Sequence, residues 1–331
     1  MNRVLSLLPA LICTAFCTAL AVAPAQSQST YPNRPVRMLV AFPPGGSSDI
    51  IARIISPQLL ERLGKPFVVE YRPGAGGSIA AQVIAKAPAD GHVLMIAGAT
   101  TVMGLNSLLI PNLPYDPKEL APITRLVTTP FVVAVNPSML PVGSVKELLL
   151  LLKAKPQPIS FASGGNFSGM HLAGENFKRI FGLDELQHVG YKGNGPALQD
   201  LAGGQIPMAF VDLGTTGPFL KSGRIKVLAV AASQRSILAP DIPTTAEAGL
   251  PAWEALGSFG MFTTAGTPPD TINRVNAEVG RILRQPDVRE RILATGSEPA
   301  PNTTEEYGSL IRAEVAKWIR VIKESGIKIE Q

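Results

Sequence analysis

Val36-Arg37-Met38-Leu39-Val40-Ala41-Phe42-Pro43-Pro44-Gly45-Gly46-Ser47-Ser48-Asp49 runs from an apolar strand pattern, through a Pro/Gly turn, into the start of a helix. The helix carries Ile50, Ile51, Ile54, Leu59, Leu60 and Leu63 at helical spacing and is stopped by Gly64 with Pro66 beyond it. Ser48 is expected to cap its start. Pro57 is expected to bend it, because proline removes a donor and crowds the carbonyl of Arg53. A strand joined by a tight turn to a helix is the repeating half of a parallel α/β sheet.

The alternation continues along the chain. Strand patterns are read at Val36–Phe42, Phe67–Tyr71, Val93–Ala97, Phe131–Asn136, Ile159–Ala162, Leu186–Gly190, Met208–Asp212, Ile225–Ala231 and Phe259–Phe262. Their near-continuous apolar character suits strands covered on both faces. So many strands exceed one small sheet, no fixed-period repeat is visible, and two sheets are expected. Near the C-terminus Thr303 and Glu306 form a capping box. The helix they open carries Tyr307, Ile311, Val315, Trp318 and Ile322 on one face, a spacing that reads as core packing, and Gly326 ends it.

Two further turns share the character of the first. Ala162-Ser163-Gly164-Gly165-Asn166-Phe167-Ser168-Gly169 joins a strand to a helix over Met170–Phe181, and Tyr191-Lys192-Gly193-Asn194-Gly195-Pro196 opens another helix with proline in its first turn. A helix N-terminus leaves backbone N–H groups without partners and carries partial positive charge. Glycines remove the side chains that would hold a ligand away, so such a turn can take an anion without a basic residue. In open α/β sheets ligands bind at the carboxyl ends of the strands, where these turns lie.

Reactive constellations are harder to find. Gly74-Ala75-Gly76-Gly77 is not a dinucleotide fingerprint, since Ile79 stands where its third glycine belongs. Ser163 and Ser168 lack the leading glycine of a nucleophile elbow, having Phe161 and Asn166 there instead. His92, His171 and His188 show no metal-ligand spacing. His171, one turn into its helix, reads as a brace for the loop before it. Asp49 reads as a cap or dipole partner. Asp212, at a strand end, reads either as a cleft-facing acceptor or as a loop brace. No catalytic residue, metal or cofactor is expected, although a hydrolase or isomerase on this kind of fold stands as an alternative.

The first 25 residues carry Arg3, an apolar run from Val4 to Ala23 and a small-residue exit at Ala23-Pro24-Ala25, the order of a cleaved secretory signal. The mature chain then begins at Gln26 in the periplasm, and both cysteines, Cys13 and Cys17, leave with the signal. Such a product has no disulfide and no thiolate. The net charge of +5 is spread without Lys/Arg blocks or interleaved aromatics, which argues against nucleic acid. After the signal no apolar stretch is long enough to span a bilayer.

Beyond these features the chain resembles the Bug-type receptors of tripartite tricarboxylate transporters. The likeness rests on Tyr31-Pro32, Pro43-Pro44-Gly45-Gly46 with Asp49, Leu63-Gly64-Lys65-Pro66 and Val69-Glu70-Tyr71-Arg72-Pro73-Gly74-Ala75-Gly76-Gly77. It continues through Ala89-Asp90-Gly91, His171-Leu172-Ala173-Gly174-Glu175, Tyr191-Lys192-Gly193, Gly203-Gly204-Gln205, Pro243-Thr244-Thr245-Ala246-Glu247-Ala248-Gly249 and Gly266-Thr267-Pro268. The resemblance implies a type II periplasmic-binding-protein fold: two α/β lobes with mostly parallel sheets joined by two crossovers. Lobe 1 would take residues 26–128 and 254–331, and lobe 2 residues 129–253, with hinges near Thr128–Phe131 and Pro251–Leu256. It also implies a small carboxylate held by Phe42, Gly45, Gly46, Ser47 and Ser48 of the first loop and Ser163, Gly164, Asn166 and Ser168 of the second. Thr100 and Thr101 would stand on the same rim and Asp212 beside it. The family usually has a small residue, commonly glycine, at the position of Phe167. A ring there favours an aromatic or planar carboxylate, unless it turns away to pack on the second lobe. The chain is expected to act as a monomer that serves membrane permease subunits, or a sensor protein as some family members do.

Overall fold

In the computed structural model the described residues are 31–325, apart from 155–157, 233, 238, 251–252 and 254. The expected signal, Gln26, Pro251 and Gly326 lie outside them. Strand β1 (Val36–Val40) is almost wholly buried and lies in parallel between β2 (Phe67–Tyr71) and β3 (Val93–Gly98). Beyond β3 comes antiparallel β9 (Leu256–Thr264), and β9 pairs with the first part of β4 (Leu120–Val135). The last residues of β4, Phe131–Val135, meet different neighbours: β7 (Met208–Asp212) and β8 (Lys226–Val230), both antiparallel. Parallel pairing resumes from β7 to β5 (Ser160–Ser163) and from β5 to β6 (Gln187–Gly190). The two-residue β10 (Glu298–Pro299) pairs with β4 at Val127 and Thr128. The path through the sheet is β2-β1-β3-β9-β4-β7-β5-β6. β4 therefore serves both halves, and the chain passes between them once along β4 and again before β9.

Helices cover both faces of each half, which is why the strands lack a polar side. Around the first half lie α1 (Ser47–Leu63), α2 (Ser78–Ala85), the short α3 (Asn106–Leu109), α8 (Pro269–Leu283), α9 (Pro286–Leu293) and α10 (Thr304–Ser325). Around the second lie α4 (Val145–Ala154), α5 (Gly169–Phe181), α6 (Asn194–Ala202) and α7 (Leu213–Lys221). Each half has one apolar core per face. In the first, Met38, Ile51, Ile55 and Val279 fill one side, while Leu39, Met95, Phe262 and Tyr307 fill the other. In the second, Phe161, Phe177, Phe210 and Trp253 form an aromatic cluster, with Trp253 Nε1 donating to the Ala173 carbonyl at 2.9 Å. Val132, Leu198 and Val211 build its opposite face.

Several boundaries differ from the sequence reading for identifiable reasons. β4 begins at Leu120, well before Phe131, and contains Pro122 and Pro130. Proline cannot donate to a ladder, and here the pairing with β9 is irregular between Pro122 and Thr124 and again between Arg125 and Val127. Helix α1 starts at Ser47 with Gly46 as its cap and no capping side chain, so Ser48 sits inside the first turn. The helix runs through Pro57 to Leu63 and ends at Gly64, whose φ of 73° suits glycine. The box at α10 forms as expected: Thr303 N–H donates to Glu306 Oε2 at 2.9 Å and Glu306 N–H to Thr303 Oγ1 at 3.2 Å. Gly260 on β9 leaves the space that the Tyr307 hydroxyl fills, so any larger residue there would displace α10. Among the described residues no helix is long and apolar enough to cross a membrane.

Candidate functional site

Three adjoining cavities open where the carboxyl ends of β1, β3, β5, β6 and β7 face one another, and Phe42 borders all three. The largest is a cleft of about 470 Å³, within the size range of small-molecule sites. One wall is Pro43 with Gly74–Gly77; the other is Gly164, Gly165, Asn166 and Ser168 with Tyr191–Gly193. Three of these residues are helix N-caps: Gly77 for α2, Ser168 for α5 and Gly193 for α6. Gly77 and Gly193 have φ of 87° and 116°, which glycine tolerates and which lets the backbone approach the cleft. Among the described residues lining it none is acidic, and Lys192, exposed at its edge, is the one cation. The lining thus brings three helix starts, each with its partial positive charge, to one cleft without a competing acidic side chain among the described residues.

A smaller pocket of about 20 Å³ lies deeper, sharing Phe42, Pro43 and Gly193 with the cleft. Ser47 and Ser48 from the first turn of α1 face Asn194 and Asp212 from the other half. Asp212 caps α7, accepting from Thr215 N–H at 3.0 Å, and also accepts from Asn194 Nδ2. Full burial pushes its pKa up, while Ser47, Thr215 and Asn194 pull against that rise. The hydroxyls of Ser47 and Ser48 and the Oδ1 of Asn194 are buried without a close hydrogen-bond partner.

The third cavity, about 50 Å³, shares Phe42, Met170 and Phe259 with the second and is apolar. Phe131, Leu172, Leu256 and Trp318 line it beside Thr100 and Thr101. Thr100 Oγ1 donates to Glu314 Oε2 at 2.6 Å, tying α10 to the end of β3. Trp318, which its spacing placed in the core, is half-buried and forms part of this wall.

The two main loops are held differently. In the first, Asp49 accepts Gly45 N–H at 2.8 Å, Arg53 Nε at 2.7 Å and the Tyr71 hydroxyl at 2.7 Å. Burial would raise its pKa, but these three donors together hold the carboxyl below its ordinary range. In the second, Phe167 N–H donates to His171 Nδ1 at 3.1 Å and Ser168 Oγ accepts His171 N–H at 3.2 Å. His171 stacks on His188 with ring centroids 3.6 Å apart. Burial lowers both, His171 to about 3 with help from His188, and His188 to about 4. Both rings are neutral at neutral pH.

The sequence-predicted residues thus separate into groups. Gly164, Asn166 and Ser168 line the cleft; Gly46, Ser47, Ser48 and Asp212 line the deeper pocket; Thr100 and Thr101 line the apolar one; Phe42 joins them. Gly45, Ser163 and Phe167 line none of the three. Gly45 serves Asp49. Ser163 is fully buried with its Oγ 2.7 Å from His188 Nε2, so the Ser–His pair presents no face to a substrate. Phe167 has a φ of 64° and leans toward His171, with ring centroids 6.3 Å apart, instead of facing a ligand space. This conformation explains why a glycine is at home there. Gly74–Gly77, Lys192 and Asn194 were not among the expected ligand-binding residues, although the turn Tyr191–Pro196 was read as one able to take an anion and Gly74–Gly77 only as a failed dinucleotide fingerprint. A glycine cluster and a Lys-Gly-Asn turn after strand patterns were the available signals.

The profile of the tripartite tricarboxylate transporter family receptor matches residues 51–327. The chain belongs to that family. Protein BugT of Bordetella pertussis is 34% identical over 331 residues, covering 100% of this chain and 99% of BugT. An R. palustris protein solved with adipate superposes with a TM-score of 0.85 at 33% identity, covering 90% of this chain and 99% of that one. MatC from Rhodopseudomonas palustris with bound malate gives a TM-score of 0.82 at 31% identity, covering 88% and 100%. The two solved structures share this chain's fold, so the resemblance read from the motifs holds for family and fold.

Proposed function

We propose that this Bug-type receptor captures a small organic carboxylate between its lobes and delivers it in the periplasm to the permease subunits of a tripartite transporter. The observation that carries the reading is the convergence of three helix N-caps, Gly77, Ser168 and Gly193, on a cleft whose described lining has no acidic side chain. Amide donors at helix starts stabilise a carboxylate by charge-assisted hydrogen bonds, and enclosure limits screening by salt. The adipate and malate of the two similar structures support the class of ligand. Lobes taken as 26–128 with 254–331, and 129–253, would close on it about β4 and the return to β9.

Thermal unfolding of the purified protein against a panel of mono-, di- and tricarboxylates tests this. A true ligand at 100 times its Kd adds about 2.7 kcal/mol of stability. In Ser168→Ala its affinity should fall by one charge-assisted bond, about 1.5–3 kcal/mol, against a fold cost near 1 kcal/mol for the lost cap. A panel without any stabilising acid, or wild-type affinity in Ser168→Ala, contradicts the assignment.

A further inference from the structure

Ser48 and Asn194 come from opposite lobes and face one pocket with atoms that nothing bonds. Ser48 is 1% exposed and Asn194 6%, yet Ser48 Oγ and Asn194 Oδ1 have no hydrogen-bond partner. Buried polar groups are ordinarily satisfied, and an orphan of this kind calls for an explanation. The amide orientation of Asn194 is set by its other end: Nδ2 donates to Asp212, whose second oxygen takes Thr215 N–H. Gly164 leaves the room in which Oδ1 sits, since a Cβ there would collide with it.

The chemistry of the missing partner follows from the two atoms. An amide oxygen only accepts, so the partner must donate to it; a hydroxyl such as Ser48 can donate or accept in return. A carboxylate cannot donate, and the space of about 20 Å³ holds one water or one small substituent. Asp212 also lines the pocket, but its two oxygens already accept from Asn194 Nδ2 and Thr215 N–H, and Phe42, Met170 and Phe259 would leave a full ammonium charge poorly solvated, which a neutral donor avoids. The pocket also shares Phe42, Pro43 and Gly193 with the carboxylate cleft, so a substituent on the same ligand can reach it.

We propose that this pocket reads a hydroxyl group of the ligand, donated to Asn194 Oδ1 opposite Ser48, so that the receptor selects hydroxy-carboxylates over their deoxy counterparts. The inference rests on the carboxylate reading of the cleft. Because the two atoms belong to different lobes, the hydroxyl is bonded fully only in the closed receptor. A site that leaves buried polar groups unpaired against the wrong ligand discriminates far more strongly than one that merely fits its shape.

Calorimetry with matched pairs tests it: malate with succinate, citrate with tricarballylate, mandelate with phenylacetate, each joined by its amino analogue where one exists. In the pair that binds, the hydroxy acid should bind at least tenfold more tightly. Ser48→Ala and Asn194→Ala, each checked for a cooperative melt, should bring that ratio close to one. Equal binding of hydroxy and deoxy acids would mean the pocket holds only a water, and overturns the inference while leaving the carboxylate reading intact. Tightest binding of the amino analogue, or a ratio unchanged in both variants, overturns it as well. If no acid of any pair binds, the carboxylate reading fails first and this inference with it.

Discussion

The loop after β1 and the loop after β5 occupy equivalent places, each between a strand end and a helix start, yet they are braced in opposite ways. The first is held from outside by a charge, the Asp49 carboxylate with Arg53, Tyr71 and Gly45 N–H, and Arg53 is 61% exposed. The second is held from inside by neutral rings, the stacked His171 and His188. The brace determines what each loop has left to offer. The first keeps the Ser48 hydroxyl unbonded beside the deeper pocket. The second commits Ser163 Oγ to His188 and uses Ser168 Oγ as an acceptor for His171 N–H, which leaves the Ser168 hydroxyl hydrogen to donate at the cleft.

Breaking the inner brace should have the larger effect. His171→Ala removes the acceptor of Phe167 N–H and opens a void beside His188, at a cost of about 3 kcal/mol from the lost packing and the orphaned donor. Urea unfolding should show it as a lower midpoint with an unchanged slope. Acid separates the two loops next. The unfolded chain protonates these histidines near pH 6.5, whereas the folded chain resists until about 3 for His171 and about 4 for His188. Their contribution is therefore complete above pH 6.5 and declines as pH falls toward those values, by on the order of 2 kcal/mol for each histidine at pH 5. Asp49 has the same sign in a lower window: its folded pKa lies below the ordinary 3.8, so its contribution stays in place until pH falls under that value. Stability measured from pH 7 to 4.5 should thus be lost by the wild type and largely kept flat in a His171→Gln/His188→Gln pair.

Asp49→Asn sharpens the contrast at the outer brace. It should cost about 1–2 kcal/mol at pH 7, since the amide keeps an acceptor for Gly45 but loses the charge that Arg53 meets. The smallest effect is expected at Phe167→Gly. Relief of a left-handed φ gains roughly 1–2 kcal/mol, against lost packing of a half-buried ring and greater freedom in the unfolded chain. The net change should lie within about 1 kcal/mol, as read by thermal melting. A large loss would show that Phe167 packs more closely than its place outside the cavities indicates.

Most of the fold was legible because the strand segments are short apolar runs flanked by Gly and Pro, and Phe67–Tyr71 and Met208–Asp212 match to the residue. The first part of β4 was hidden by Pro122 and Pro130, which mark bends and ends in most strands; here Pro122 falls where the pairing with β9 slips and Pro130 where that pairing gives way to β7. The glycine turns announced anion-binding helix starts, since that chemistry is local. The separation of Ser47 and Ser48 from Ser168 into different cavities is a matter of how two lobes meet, which no local pattern carries. Phe167 shows the same limit: its side chain suggested a ring contact, while its backbone conformation turns the ring toward His171.

The central claim is that helix termini in the cleft bind a carboxylate, and calorimetric titration of the best-binding acid beside its methyl ester tests it most directly. The ester keeps the shape and loses the charge that the helix starts following Gly77, Ser168 and Gly193 would meet. The account predicts that the acid binds and the ester binds at least tenfold more weakly. Equal affinity for acid and ester would contradict it.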